Sequence, residues 1–202
     1  MGRPTEDMLT HAHRVLRYLY RTRHLGLRYE ADVLPMSGYS DSDWAVKHST
    51  SGWTFMLNQA TISWGSKKQK SVALSSCEAE IMAASEAAKE AIHLASLCAE
   101  LGMGSDEPTE LNLDNRSAID VAYNPEHHGR MKHVDRRHFY IRELVEERRL
   151  RVPFVSSENN LADFFTKALS ASVFFPLRDR IMNVPVAMRE TGVAGIGSTG
   201  GR

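Results

Sequence analysis

Residues Ser75–Leu101 contain neither glycine nor proline and are dense in alanine. Alanine has the highest helix propensity, Ser75 or Ser76 can cap the start, and Gly102 can end the run. This is the longest helix the sequence predicts. The segments before it have another character. Gly38–Ala45, Gly52–Leu57 and Thr61–Trp64 are short and strand-like. Asn58-Gln59-Ala60 connects the last two closely enough to predict an antiparallel hairpin. After the helix come a loop over residues 103–110, a strand at Leu111–Leu113 and a helix at Asn115–Ala122. A loop at Pro125–Arg130, a helix at Arg136–Arg148, a strand at Arg151–Val155 and a helix at Asn159–Leu169 follow. The order β-β-β-α-β-α-α-β-α predicts an α/β fold, a mixed sheet flanked by helices. Trp44, Trp53 and Trp64 alternate with apolar neighbours and are expected mainly in the core. Upstream, residues 5–25 read as an amphipathic helix ended by Gly26. Met8, Leu9, Val15, Leu16 and Leu19 lie on one side and Arg14, Arg17 and Arg21 on the other. The tail from about Pro185, ending GVAGIGSTGGR, is expected to be disordered.

Charge excludes one class of function and suggests another. Twenty-five basic side chains balance 25 acidic ones, which disfavours coating nucleic acid by bulk positive charge. The balance hides a segregation. Residues 1–30 are net +3, residues 41–114 net −6 and residues 115–151 net +3. An acidic centre between basic flanks suits a metal site beside a polyanion, and also suits ordinary solvated helices. No apolar run approaches the ~20 residues that span a bilayer. Cys77 and Cys98 make no disulfide framework, so an intracellular setting is expected.

Four acidic positions fall at element ends: Asp41 in GYSDSDWA, Glu80 in SSCEAEIMAA, Asp114 in LNLDN and Asp163 in NNLADFF. Each alone has a plain structural reading as a cap, a turn or a helix-start carboxylate. Together they could meet at one edge of a sheet. Converging carboxylates need cations, and Mg²⁺ suits oxygen-only ligands. Helical spacing puts Glu80 with Ala84, Ala87 and Ala91 on the core side and Glu78 on the polar side. Asp41 and Asp43 share a strand face, so spacing leaves open which of them binds metal.

These stretches, with STSGWTFML, ISWGSKKQKSVALSSCEAEIMAASEAAKEAIHL, KHVDRRHFYIRELVE and ENNLADFFTKAL, resemble the ribonuclease H region of Copia-type retrotransposon polyproteins. The resemblance runs over roughly residues 8–170. It implies a ribonuclease H-like fold, with a five-stranded mixed sheet whose first three strands are antiparallel. It implies a connector helix over residues 1–30 that follows a reverse transcriptase, a nuclease domain over 31–170 and an extension over 171–202. It implies an acidic tetrad of Asp41, Glu80, Asp114 and Asp163. That tetrad would hold two Mg²⁺ ions, with Mn²⁺ as a substitute, ~4 Å apart at the scissile phosphate. Asp41 would bridge both ions. The expected partners are an RNA–DNA hybrid and the reverse transcriptase portion of the polyprotein, with no membrane. Lys67, Lys68 and Lys70, and then Lys132, His133 and Arg136 in the second basic cluster, are expected to meet substrate phosphates. Bacterial ribonucleases H carry a loop histidine before the last aspartate, and Ser156–Asn160 has none. The other reading of the sequence is a catalytically silent remnant that binds nucleic acid or protein.

Overall fold

The computed structural model describes residues 4–30, 35–45, 47–123 and 135–189. Five strands, β1 (Ser37–Asp43), β2 (Thr50–Leu57), β3 (Ala60–Lys68), β4 (Thr109–Asn112) and β5 (Leu150–Arg151), form one sheet in the order β3-β2-β1-β4-β5. The β1–β2 and β2–β3 pairs are antiparallel, whereas β4 lies parallel to β1 and β5 parallel to β4. This is the mixed sheet expected from the sequence. The β2–β3 hairpin turns on two residues, not three. Asn58 and Gln59 both take positive φ, 49° and 69°, the turn geometry that matches strand twist, and Ala60 is already in β3.

The helices are α1 (Glu6–Arg21), α2 (Ser76–Glu100), α3 (Arg116–Tyr123), α4 (Asp135–Glu146), α5 (Ala171–Met182) and α6 (Val186–Arg189). Ser75 caps α2 by accepting from the Glu78 N–H, and the Glu78 carboxylate returns to accept from the Leu74 N–H, a reciprocal arrangement of the capping-box kind. Ala84, Ala87, Ala88 and Ala91 are buried, and their small side chains let α2 lie close to the sheet. They join Phe55, Ile81, Leu111, Leu113, Ile141, Leu144 and Leu150 in the larger core. A second core of Met56, Leu161, Leu177 and Ile181 is completed by Tyr39, Phe164 and Phe165. Phe55 and Met56 are neighbours on β2 that serve different cores, as strand alternation requires. Both faces of the sheet are therefore covered.

Four expectations are corrected. The helix expected over Asn159–Leu169 is two 3₁₀ segments, Ser157–Asn159 and Leu161–Phe165. Fully buried Asn160 breaks the helix between them: its side chain accepts from the Ala162 N–H and donates to the Ser40 carbonyl of β1. Trp44 and Trp64 are exposed and not in the core. Trp64 lies on β3, an edge strand of the sheet. Trp44 lies just past β1, its indole N–H bound to the Ala73 carbonyl. Only Trp53, over Gly65, packs against the larger core. Helix α1 ends at Arg21, before Gly26, where the Thr22 hydroxyl donates to the Tyr18 carbonyl. Val186–Arg189, within the stretch expected to be disordered, is helical, and residues 190–202 lie outside the described residues.

One glycine positions the segment that carries Asp163. Gly52 pairs with Asp41 across the β1–β2 ladder. A Cβ there would lie 2.5 Å from Thr166 Cγ2 and 3.1 Å from the Ala162 carbonyl oxygen. We therefore expect Gly52→Ala to destabilise the protein by about 1–3 kcal/mol. Adding Thr166→Ser, which removes the clashing methyl and keeps the hydroxyl, should recover part of that loss. Urea denaturation of the single and double variants checks this, and an unchanged midpoint for Gly52→Ala would contradict it.

Candidate active site

Parallel pairing puts the C-terminal ends of β1 and β4 at the same edge of the sheet. In open α/β sheets this is where ligand sites form. Asp41 sits near the end of β1. Asp114 follows β4, one residue beyond Leu113, whose bridge to Phe154 extends the pairing with the β5 segment. Asn115 caps α3 by accepting from the Ala118 N–H, which leaves Asp114 free of that duty. Glu80 comes from the second turn of α2 and reaches over the same edge, where the Ser42 N–H donates to its Oε1 at 3.3 Å.

Carboxylate oxygens of Asp41, Glu80 and Asp114 all lie within 4.8 Å of one another. Asp41 and Glu80 are buried, and Asp43 is exposed, which separates the two aspartates that spacing left equivalent. Asp163, buried in the Leu161–Phe165 turn, approaches from the opposite face of the sheet. It is tied to Asp41 through two neighbours. The Thr166 hydroxyl donates to Asp41 Oδ2 at 2.5 Å, and Lys167 Nζ lies 2.8 Å from Asp163 Oδ1 and 3.9 Å from Asp41 Oδ2. Of the four expected acids, three share one cluster, and the fourth, Asp163, lies beside Asp41 with a lysine against both. Sequence reading singled out neither Thr166 nor Lys167, although the four-residue spacing of Asp163 and Lys167 was a usable signal.

The expected basic residues separate. Lys67, Lys68 and Lys70 line a cavity of about 160 Å³ with Ser51, Gln69, Met82, Glu86 and Arg137. Glu86 holds Lys89 at 2.8 Å and Lys67 at 3.9 Å, and the hydrogen bond from Lys89 keeps its carboxyl below the ordinary glutamate value despite partial burial. Arg137, a member of the second basic cluster, reaches this cavity from α4. Arg136 lies in the first turn of α4, and Lys132 and His133 lie outside the described residues.

The electrostatics show what the cluster lacks. Burial, then the charges of Asp41 and Asp114, push Glu80 up to about 8. Burial also raises Asp41, to about 6; the Thr166 hydrogen bond opposes the rise and the Asp163 charge adds to it. Glu80 Oε2 is buried with no hydrogen-bond partner. A buried carboxylate oxygen without a partner, beside two further carboxylates, is a donor set that fits a hard divalent cation. One consequence is testable without metal. Below about pH 4.5 Glu80 is protonated whether the chain is folded or not. As pH rises toward 8 the unfolded chain releases that proton while the folded chain retains it, so stability falls across the window. In EDTA, the Tm of Glu80→Gln should fall less between pH 5 and pH 8 than that of the parent. Parallel profiles would contradict the assignment.

No family model matches the chain. It is 39% identical over 179 residues to the retrovirus-related Pol polyprotein from transposon RE1 of Arabidopsis thaliana, covering 86% of this chain and 12% of that protein. It is 38% identical over 192 residues to the corresponding polyprotein from transposon RE2 of the same plant, covering 92% of this chain and 13% of the relative. The chain therefore spans about an eighth of the length of these relatives. Among solved structures, LC11-RNase H1 in complex with an RNA/DNA hybrid is similar with a TM-score of 0.49 at 15% identity, over 65% of this chain and 93% of that one. The sheet order and strand directions described above are those of the ribonuclease H-like fold. Sequence identity carried across nearly all of its length makes the chain a homologue of one segment of the Pol polyproteins of Copia-type retrotransposons.

Proposed function

We propose that the chain is a ribonuclease H that hydrolyses the RNA strand of RNA–DNA hybrids, using two divalent ions, Mg²⁺ or Mn²⁺. The observation that carries this reading is the convergence of Asp41, Glu80 and Asp114 with a partnerless Glu80 oxygen at the sheet edge. Asp41, Glu80 and Asp114 would hold one ion, and Asp41 with Asp163 the other. Bound there, the ions supply activation of a water and neutralisation of charge at the scissile phosphate. The protein's own groups do the positioning. Thr166 fixes one Asp41 oxygen, and the Ser42 N–H orients Glu80 toward its partners. Lys67, Lys68, Lys70 and Arg137 surround a cavity that suits a backbone phosphate, and Lys132, His133 and Arg136 are proposed to extend that contact along the hybrid.

The same reading makes residues 1–30 a connector to a reverse transcriptase portion of a longer polyprotein. What supports it is α1: it buries no residue, and Met8, Leu9, Val15, Leu16 and Leu19 are all exposed. No described helix is long and apolar enough to cross a membrane.

The test is cleavage of a labelled RNA–DNA hybrid in Mg²⁺ by the parent chain, by Asp114→Asn and by Asp163→Asn. Each substitution should lower the rate about 100-fold or more, equivalent to about 2.7 kcal/mol of transition-state stabilisation. Undiminished cleavage by both variants, or none by the parent chain, would overturn the reading; the second result would favour a silent binding module.

A further inference from the structure

We propose that Lys167 is a resident cation of the carboxylate cluster: its ammonium holds the place between Asp41 and Asp163, and it must withdraw before a divalent ion can be held there. The inference rests on the reading of the four carboxylates as metal ligands, and it adds an order of occupancy that this reading does not contain.

The cluster is asymmetric. Among the described residues, Lys167 lies within ion-pair distance of Asp163 at 2.8 Å and of Asp41 at 3.9 Å, and no basic side chain lies that near to Glu80 or Asp114. One side of the site therefore already has a counter-ion, and the other is a bare corner of three acids. The lysine is also built to move. Its side chain is 42% exposed, whereas those of Asp41 and Asp163 are 5% and 10% exposed. The two carboxylates are fixed by their surroundings, Asp41 by the Thr166 hydroxyl and the Asp163 segment by buried Asn160. Among the described residues its ammonium makes no ion pair beyond these two. A lysine ammonium is a compact point charge on a flexible stem, able to release a carboxylate without disturbing the fold. Lys167 is thus a positioning residue. It keeps Asp41 and Asp163 together in the metal-free protein, and it makes the Asp41–Glu80–Asp114 corner the first to accept an ion and the Asp41–Asp163 side the second.

The experiment is Mn²⁺ and Mg²⁺ binding to the full metal-free chain, without substrate, followed by titration calorimetry. The parent should show one ion bound more tightly than the next. Lys167→Met should strengthen the weaker step by roughly 10- to 100-fold, the scale on which groups touching a metal ligand alter affinity, while Lys167→Arg should stay near the parent. Lys167→Met should also lower Tm in EDTA, and the deficit should close when metal is added. A purely structural role would give a deficit that metal does not close and leave both affinities unmoved. A second readout needs no variant: in the parent chain, Mg²⁺ should raise the rate of reductive methylation at Lys167, read by peptide mass spectrometry. Ion binding that is unchanged in Lys167→Met, or methylation indifferent to Mg²⁺, would overturn the role of Lys167 and leave the metal reading standing. Absence of any ion binding to parent and variant alike would overturn both.

Discussion

Three carboxylates within 4.8 Å of one another repel, and much of this structure is arranged so that the fold tolerates that repulsion. The sheet creates the problem. Parallel β1 and β4 deliver Asp41 and Asp114 to one edge, while the alanine face of α2 lets the helix approach until Glu80 reaches the same point. The remedies come from the opposite side. Gly52 leaves room for the Leu161–Phe165 turn, Asn160 pins that turn to β1, and Thr166 and Lys167 then meet the carboxylates with a hydroxyl and a charge. What remains uncompensated is the Glu80 corner, whose carboxyl is held largely protonated near neutrality. A fold that gathers acids and leaves one corner bare is suited to admitting cations from outside.

Much of this was legible in the sequence because it follows from periodicity. Glu80 shares a helical face with Ala84, Ala87 and Ala91, and all four are buried. Ser75, one of two serines able to cap the helix, is the one that does so. The three early strands, the hairpin between the last two of them, the later alternation and the placing of acids at element ends follow from spacing and breakers, whereas the antiparallel setting of all three strands was implied by resemblance. The choice of Asp41 over Asp43 did not follow from spacing, since both stand on one strand face; it came from resemblance and agrees with burial of the first and exposure of the second.

What stayed hidden depends on contacts between distant segments. Local pattern cannot tell an edge strand from a central one, so Trp64 looked like a core residue and is exposed. Asn160 reads as an ordinary helix-start residue until its amide finds the Ser40 carbonyl 120 positions away. Residues 171–182 carried no helical expectation, yet α5 forms there with Pro176 inside it and helps build the second core. Lys167 is a near neighbour of Asp163 in sequence, but its approach to Asp41 exists only once the turn is seated over Gly52.

The carboxylate edge is proposed as a divalent-cation site. Anomalous diffraction from crystals of the full chain soaked in Mn²⁺ tests it most directly. The expected result is an Mn²⁺ peak coordinated by Asp41, Glu80 and Asp114. Mn²⁺ bound only elsewhere, with that corner empty, would contradict it.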